Sequence, residues 1–193
     1  MRLVEIIPTP ATRPEVVEFV RGFCDRRLGK AVVFAKDRPN FIANRIFLFA
    51  LMHLLKAMQA HGLTIEEVDA LTGPLIGRPG TATFRLADFV GVDVCVFVAE
   101  NVHRLCPEDE KRDMFVPPAF LRAMLEKRLL GDKAGQGFYK KVKNDRLVLD
   151  LQSLEHRPAR PPDLPALEEA RKIRDAGERI RHLLGRDDRA GRF

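Results

Sequence analysis

From Phe41 to about His61 the chain carries apolar side chains on nearly every side of a helical repeat, Phe47, Leu51, Met52, Leu55 and Met58 among them. A helix at a protein surface keeps one polar face, so a helix apolar around most of its circumference must be surrounded by others; that selects a mainly helical core. Asn44, Arg45, His53 and Lys56 interrupt the run, which marks a core helix and not a membrane span. Asn40 ends the turn Asp37-Arg38-Pro39-Asn40 and is placed as the N-cap of this helix, and Gly62 stops it.

The remaining punctuation continues the helical reading. Thr64-Ile65-Glu66-Glu67 is a capping box that opens a short helix ending at Gly73-Pro74. Helical spacing resumes at Phe84, pauses at Gly91 and runs on from Asp93 to Leu105, where Cys106-Pro107 ends it. Glu108 to Asp113 is a charged, solvated loop, and Pro118 opens a helix that reaches about Leu129. Phe138 to Val142 and Leu147 to Leu151 have strand character around Lys143-Asn144-Asp145, so a hairpin is expected.

The two ends differ from this core. Arg2 to Ile7 and Ala31 to Ala35 read as strands around a helix that begins near Pro14, too few strands to complete a sheet. Pro158, Pro161, Pro162 and Pro165 make 157–165 a linker, and the charged helical segment after it must dock on something to persist. The expected division is therefore 1–36, a remnant of a sheet domain; 37–156, the helical domain; 157–165, the linker; and 166–193, a docking helix and tail.

With 193 residues, 46% of them hydrophobic, the chain can bury one good core. Its net charge of +6 arises from 33 basic and 27 acidic residues mixed along the chain. That balance suits a phosphate-rich small molecule; with one tyrosine, no tryptophan and no basic run interleaved with aromatics, no nucleic-acid partner is expected. Cys24, Cys95 and Cys106 fall at irregular spacings without CxxC, which indicates neither a disulfide framework nor a zinc site. No signal peptide opens the chain, no membrane association is expected, and a cytoplasmic location is the simplest reading.

Pattern alone yields no active site: GxGxxG, GxSxG, the P-loop and HExxH are all missing. Three segments carry more. Leu3-Val4-Glu5-Ile6, Pro39-Asn40-Phe41-Ile42-Ala43-Asn44-Arg45 and Lys133-Ala134-Gly135-Gln136-Gly137-Phe138-Tyr139, in that order and at those separations, resemble the 3-hydroxyacyl-CoA dehydrogenase family from Met1 to about Tyr139.

The resemblance implies a mainly α fold, the helical C-terminal domain shared with 6-phosphogluconate dehydrogenase, preceded by a residual β-α-β segment of a Rossmann-like domain. It implies oxidation of (S)-3-hydroxyacyl-CoA to 3-ketoacyl-CoA with NAD in fatty-acid β-oxidation, and a homodimer. The family's catalytic base is a histidine held by a glutamate, and the glutamate matches Glu5, which would fix the imidazole's tautomer and stabilise its protonated form. Asn44 matches a substrate contact that donates its amide N–H near the reacting carbon. The histidine belongs about a dozen residues before Glu5, and none of His53, His61, His103, His156 or His182 falls there. The glycine-rich NAD-binding unit is expected further upstream, so the chain by itself is expected to be inactive.

Each residue has a plainer reading: Glu5 as an edge charge, Asn44 as a satisfied buried amide, Arg45 as half of an ion pair, Gly135, Gly137 and Phe138 as a tight turn with a core anchor. The rival to the enzyme is a helical module that only dimerises or docks.

Overall fold

The computed structural model describes residues 2–193. The apolar run forms α2, Ala43–His61, with Leu48, Leu51, Met52, Leu55 and Met58 buried and Gly62 at φ 62 closing its C-terminus. Around it stand α3 (Ile65–Thr72), α4 (Phe84–Val90), α5 (Val92–Leu105) and α6 (Ala119–Glu126). α5 lies along α2, and α6 packs on α5. The capping box of α3 forms as expected: the Glu67 amide donates to Thr64 Oγ1 at 3.2 Å, and the Thr64 amide donates to Glu67 Oε2 at 2.8 Å.

The expected hairpin is β3 (Tyr139–Val142) antiparallel to β4 (Asp145–Leu149), with Tyr139 opposite Val148. Val148 and Leu149 are buried, and Phe138 packs its ring on Phe84 with centroids 4.6 Å apart. A third strand, β5 (His156–Pro158), pairs antiparallel with β4. The proline-dense stretch is thus only partly a loose connection. Its first residues are a sheet edge, and Arg157 clamps Glu66 with two bonds of 2.7 and 3.1 Å.

Beyond it the single expected helix is three: α7 (Pro165–Arg171), α8 (Ala176–Leu184) and α9 (Arg189–Arg192). Asp175 and Asp188 break the run, because each side chain caps a new helix, Asp175 accepting from the Glu178 amide and Asp188 from the Ala190 and Gly191 amides. The segment docks on the helical core through Ala166, Leu167, Ala170, Leu183 and Ala190. Arg189 fastens it, donating to Glu67 at 2.8 Å, Asp163 O at 3.0 Å and Gly62 O at 3.2 Å.

At the other end β1 (Leu3–Ile6) and β2 (Ala31–Phe34) are parallel, joined through α1 (Pro14–Gly22) and a π-turn over Phe23–Arg27. α1 buries none of its residues, and Phe19 is 72% exposed. A two-stranded βαβ unit with bare apolar side chains is the incomplete sheet read from the sequence.

One expectation is corrected. Asn40 does not cap α2, which starts at Ala43 with Ile42 in the cap position. Asn40 and Phe41 both adopt left-handed backbone, φ 63 and 51, and the Asn40 carboxamide donates to Val98 O of α5 at 3.0 Å. Asparagine tolerates that conformation; for a bulky residue such as Phe41 it costs of order 1–3 kcal/mol. The turn is thereby thrown against α5, and the open amides of α2 are left to another group.

Candidate active site

That group is Glu5. Ile42 offers no side-chain cap, and the first turn of α2 is closed by the strand: the Ile42 amide donates to Glu5 Oε2 at 3.1 Å and the Ala43 amide to Glu5 Oε1 at 2.7 Å. Each carboxylate oxygen takes one amide, and the positive end of the helix dipole faces the negative charge. Capping of this kind stabilises by about 1–2 kcal/mol, so Glu5 has a structural duty that its place in a short strand did not disclose.

Asn44 follows Ala43 in the same turn. The structure therefore brings together the two sequence-predicted site residues, one on β1 and one on α2. Asn44 is exposed, and its carboxamide finds no partner among the described residues. Contrary to the plain reading of a satisfied buried amide, it is exposed, and neither its donor nor its acceptor is bonded among the described residues. Each Glu5 oxygen, having accepted one amide, retains capacity for another donor. Among the described residues no histidine shares a hydrogen bond with Glu5.

Arg45 pairs with Asp109, which lies in the charged loop after α5. The bond between them holds the Asp109 carboxyl below the usual carboxylate range and raises the Arg45 guanidinium. The same loop is tied down by Lys56, whose Nζ donates to Asp113 O and Met114 O at 2.8 and 3.0 Å.

The third sequence segment proves to be a brace around a residue that the sequence reading passed over. Asp88, 1% exposed on α4, accepts the Phe138 amide on Oδ1 and the Tyr139 amide on Oδ2, each at 2.8 Å. Gly137 has no Cβ because one built there would overlap Asp88 Oδ1 and sit 2.6 Å from Gly131 Cα. Tyr139 in turn donates its hydroxyl to Asp69 Oδ2 at 2.7 Å, while Asp69 Oδ1 accepts the Thr83 and Phe84 amides at 3.0 and 2.7 Å. Acids at apolar-face positions of their helices, Asp88 buried and Asp69 half-buried, are the signal the sequence offered.

Burial pushes the Asp88 carboxyl up to about 6, against the pull of its two amides. An unfolded aspartate releases its proton near 4, so between about pH 4 and 6 the folded chain holds a proton the unfolded chain has lost. The stability contributed by this group is therefore greatest at low pH and declines as pH rises to 6. Between pH 5 and 7 the loss is on the order of 1 kcal/mol. We expect urea midpoints of the wild-type chain to carry that decline and those of Asp88→Asn, lower throughout for want of one acceptor, to lack it; parallel curves would contradict the assignment.

The cysteines and histidines supply no second centre. Burial raises the Cys95 thiol to about 12, far from a reactive thiolate. His156 bonds Gly137 O at 2.9 Å, and burial lowers its pKa. Among the described residues, no group of His, Cys, Asp and Glu is arranged to hold a metal. No described helix is long and apolar enough to cross a membrane.

Residues 41–141 match the family model described as 3-hydroxyacyl-CoA dehydrogenase, C-terminal domain. A probable 3-hydroxyacyl-CoA dehydrogenase of Bacillus subtilis is 45% identical over 193 residues, covering 100% of this chain and 24% of that protein. The mitochondrial hydroxyacyl-coenzyme A dehydrogenase of Rattus norvegicus is 34% identical over 140 residues, 72% of this chain and 43% of the relative. Among solved structures, M. tuberculosis FadB2 superposes with a TM-score of 0.62 at 31% identity over 74% of this chain and 48% of its own. The (S)-3-hydroxybutyryl-CoA dehydrogenase PaaH1 of Ralstonia eutropha gives 0.63 at 26% identity over the same shares. The chain spans less than half the length of these relatives. On the family match over residues 41–141, this chain belongs to the 3-hydroxyacyl-CoA dehydrogenase family.

Proposed function

We propose that this chain is the substrate side of an NAD-dependent dehydrogenase that converts (S)-3-hydroxyacyl-CoA to 3-ketoacyl-CoA in fatty-acid oxidation. One observation supports the reading: the turn of α2 whose Ile42 and Ala43 amides Glu5 caps also carries the exposed, unpartnered Asn44. Glu5 orients a histidine supplied from outside this chain and stabilises it once it has taken the substrate's hydroxyl proton. Asn44 directs an N–H to the oxygen on the reacting carbon or to the thioester carbonyl.

The described residues do not form a dinucleotide cradle. The connection from β1 to α1 runs Ile7-Pro8-Thr9-Pro10-Ala11-Thr12-Arg13, with prolines where a pyrophosphate turn needs glycines. NAD accordingly belongs to a separate nucleotide-binding part of the complete enzyme, with residues 2–36 forming one edge of it. The isolated chain, on this reading, produces no NADH from (S)-3-hydroxybutyryl-CoA and NAD, whereas the complete enzyme does; absorbance at the NADH band distinguishes them. Asn44→Ala in the complete enzyme is expected to lower kcat by roughly 100- to 1,000-fold, as loss of one donor to a developing oxyanion does. An unchanged kcat would remove Asn44 from the site.

Ile46 at 64%, Phe89 at 74% and Phe97 at 64% exposure leave large apolar side chains bare on α2, α4 and α5, which supports a homodimer; light scattering of the purified protein tests it. A cytoplasmic setting accords with three unpaired cysteines. The helical-module reading keeps one point in its favour: capping α2 alone accounts for Glu5. It predicts that Glu5→Gln changes stability and nothing else.

A further inference from the structure

The entry to α2 is held by more ties than capping alone requires. Two consecutive non-glycine residues, Asn40 and Phe41, take left-handed backbone at φ 63 and 51. Such a conformation persists only where its surroundings over-determine it, and it is concentrated at sites where geometry matters to function. Here three ties converge from three elements on six consecutive residues. The Asn40 carboxamide reaches Val98 O on α5 at 3.0 Å, Glu5 on β1 holds the Ile42 and Ala43 amides, and Arg45 grips Asp109 in the loop after α5. Among these six, Asn44 is the exposed polar side chain without a hydrogen-bond partner among the described residues, flanked on one side by Ala43 and on the other by Arg45.

The Arg45–Asp109 pair is the tie without a local duty. Arg45 is inside the first turn of α2, and its side chain remains 31% exposed while that of Asp109 is 11% exposed. Asp109 also accepts the Lys111 amide at 2.8 Å, so the carboxylate is fixed by its own loop before the arginine arrives. The loop is in turn anchored to α2 by Lys56, further along the helix. The pair therefore sets the rotation of the first turn of α2 relative to a rigid loop, and with it the direction of the adjacent Asn44 and of the amides that aim Glu5.

We propose that Arg45 and Asp109 are positioning residues for the dehydrogenase reaction: they hold the strained entry of α2 so that Asn44 and Glu5 stand in register for the reacting atoms. This rests on the functional reading given above. A misplacement of about 1 Å at a reacting centre can cost up to about 100-fold in rate, so loss of the pair is expected to act on kcat.

The test is a set of variants in the complete enzyme: Arg45→Met, Asp109→Asn, the exchange Arg45→Asp with Asp109→Arg, and Glu5→Gln as a reference. Arg45→Met and Asp109→Asn are each expected to lower kcat about tenfold, with KM for (S)-3-hydroxybutyryl-CoA changed less than about threefold. The exchange is expected to recover most of that loss. In the 193-residue chain, amide exchange should accelerate about tenfold at Ile42 and Ala43 in Arg45→Met while the amides of α5 and α6 keep their protection. Unchanged kcat in Arg45→Met and Asp109→Asn, with Glu5→Gln inactive, would overturn the positioning role and leave the enzyme reading standing. Full activity in Glu5→Gln, or no activity in the wild type, would instead overturn the enzyme reading. If Arg45→Met is too unstable to assay, equal loss of protection throughout the helical core in Asp109→Asn would show the pair to be merely structural and overturn the proposal.

Discussion

Glu5→Gln in the complete enzyme is expected to lower kcat by about 100- to 1,000-fold while KM for the acyl-CoA stays within about threefold. The argument has two parts. A neutral carboxamide cannot stabilise an imidazolium, so an oriented histidine loses its counter-charge as it takes the proton. The side chain must also serve the Ile42 and Ala43 amides, and glutamine has one acceptor oxygen for the two donors now divided between Oε1 and Oε2. Its NH2 would then oppose one of those amides, or the side chain would rotate away from the turn. The first part affects catalysis alone and the second affects stability, by about 1 kcal/mol for a lost cap. Steady-state kinetics at several pH values, beside thermal melts of the same samples, separate them. A small drop in Tm with unaltered kcat would reduce Glu5 to a cap.

Gly137→Ala is expected to destabilise the fold severely, on the order of 3–5 kcal/mol. Its Cβ would occupy the space of Asp88 Oδ1 and stand 2.6 Å from Gly131 Cα and 2.7 Å from Gly131 N. Two of these three neighbours are backbone, and the carboxylate is pinned by the Phe138 and Tyr139 amides, so none can yield cheaply. Displacing Asp88 would strand two amides and a carboxylate in a region where Phe84 and Phe138 are 0% and 1% exposed. Gly135→Ala is the contrast. It meets nothing within 4 Å but sits at φ 71, so only the backbone penalty of about 1 kcal/mol applies. Urea denaturation of the two variants tests the distinction; comparable losses would mean that crowding at Gly137 is relieved by a shift not foreseen here.

The helical core was legible because its signals are local. An apolar circumference fixed α2, Thr64 and Glu67 wrote the capping box, and Gly91 parted α4 from α5. The N-cap of α2 was misread for a physical reason. Asn40 is a good capping residue by type, but its carboxamide is used by Val98 O, and the cap arrives from a strand distant in sequence. No local pattern encodes a cap of that origin. Asp88 and Asp69 were missed likewise, since their partners are backbone amides and a tyrosine far along the chain. The likeness of the third segment to the family was visible, but its purpose was not: Gly137 is there for what it leaves room for, which only the packed structure displays. The segment 166–193 was read as needing a dock, and its break into three helices depended on Asp175 and Asp188 capping anew.

The most direct test of the account is NADH formation by the complete enzyme from (S)-3-hydroxybutyryl-CoA, measured beside the same enzyme carrying Glu5→Gln. The account predicts turnover in the first and a loss of about 100-fold or more in the second, with melting temperatures that remain close. Equal rates in the two, or no oxidation of the 3-hydroxyl by the unaltered protein, would contradict it.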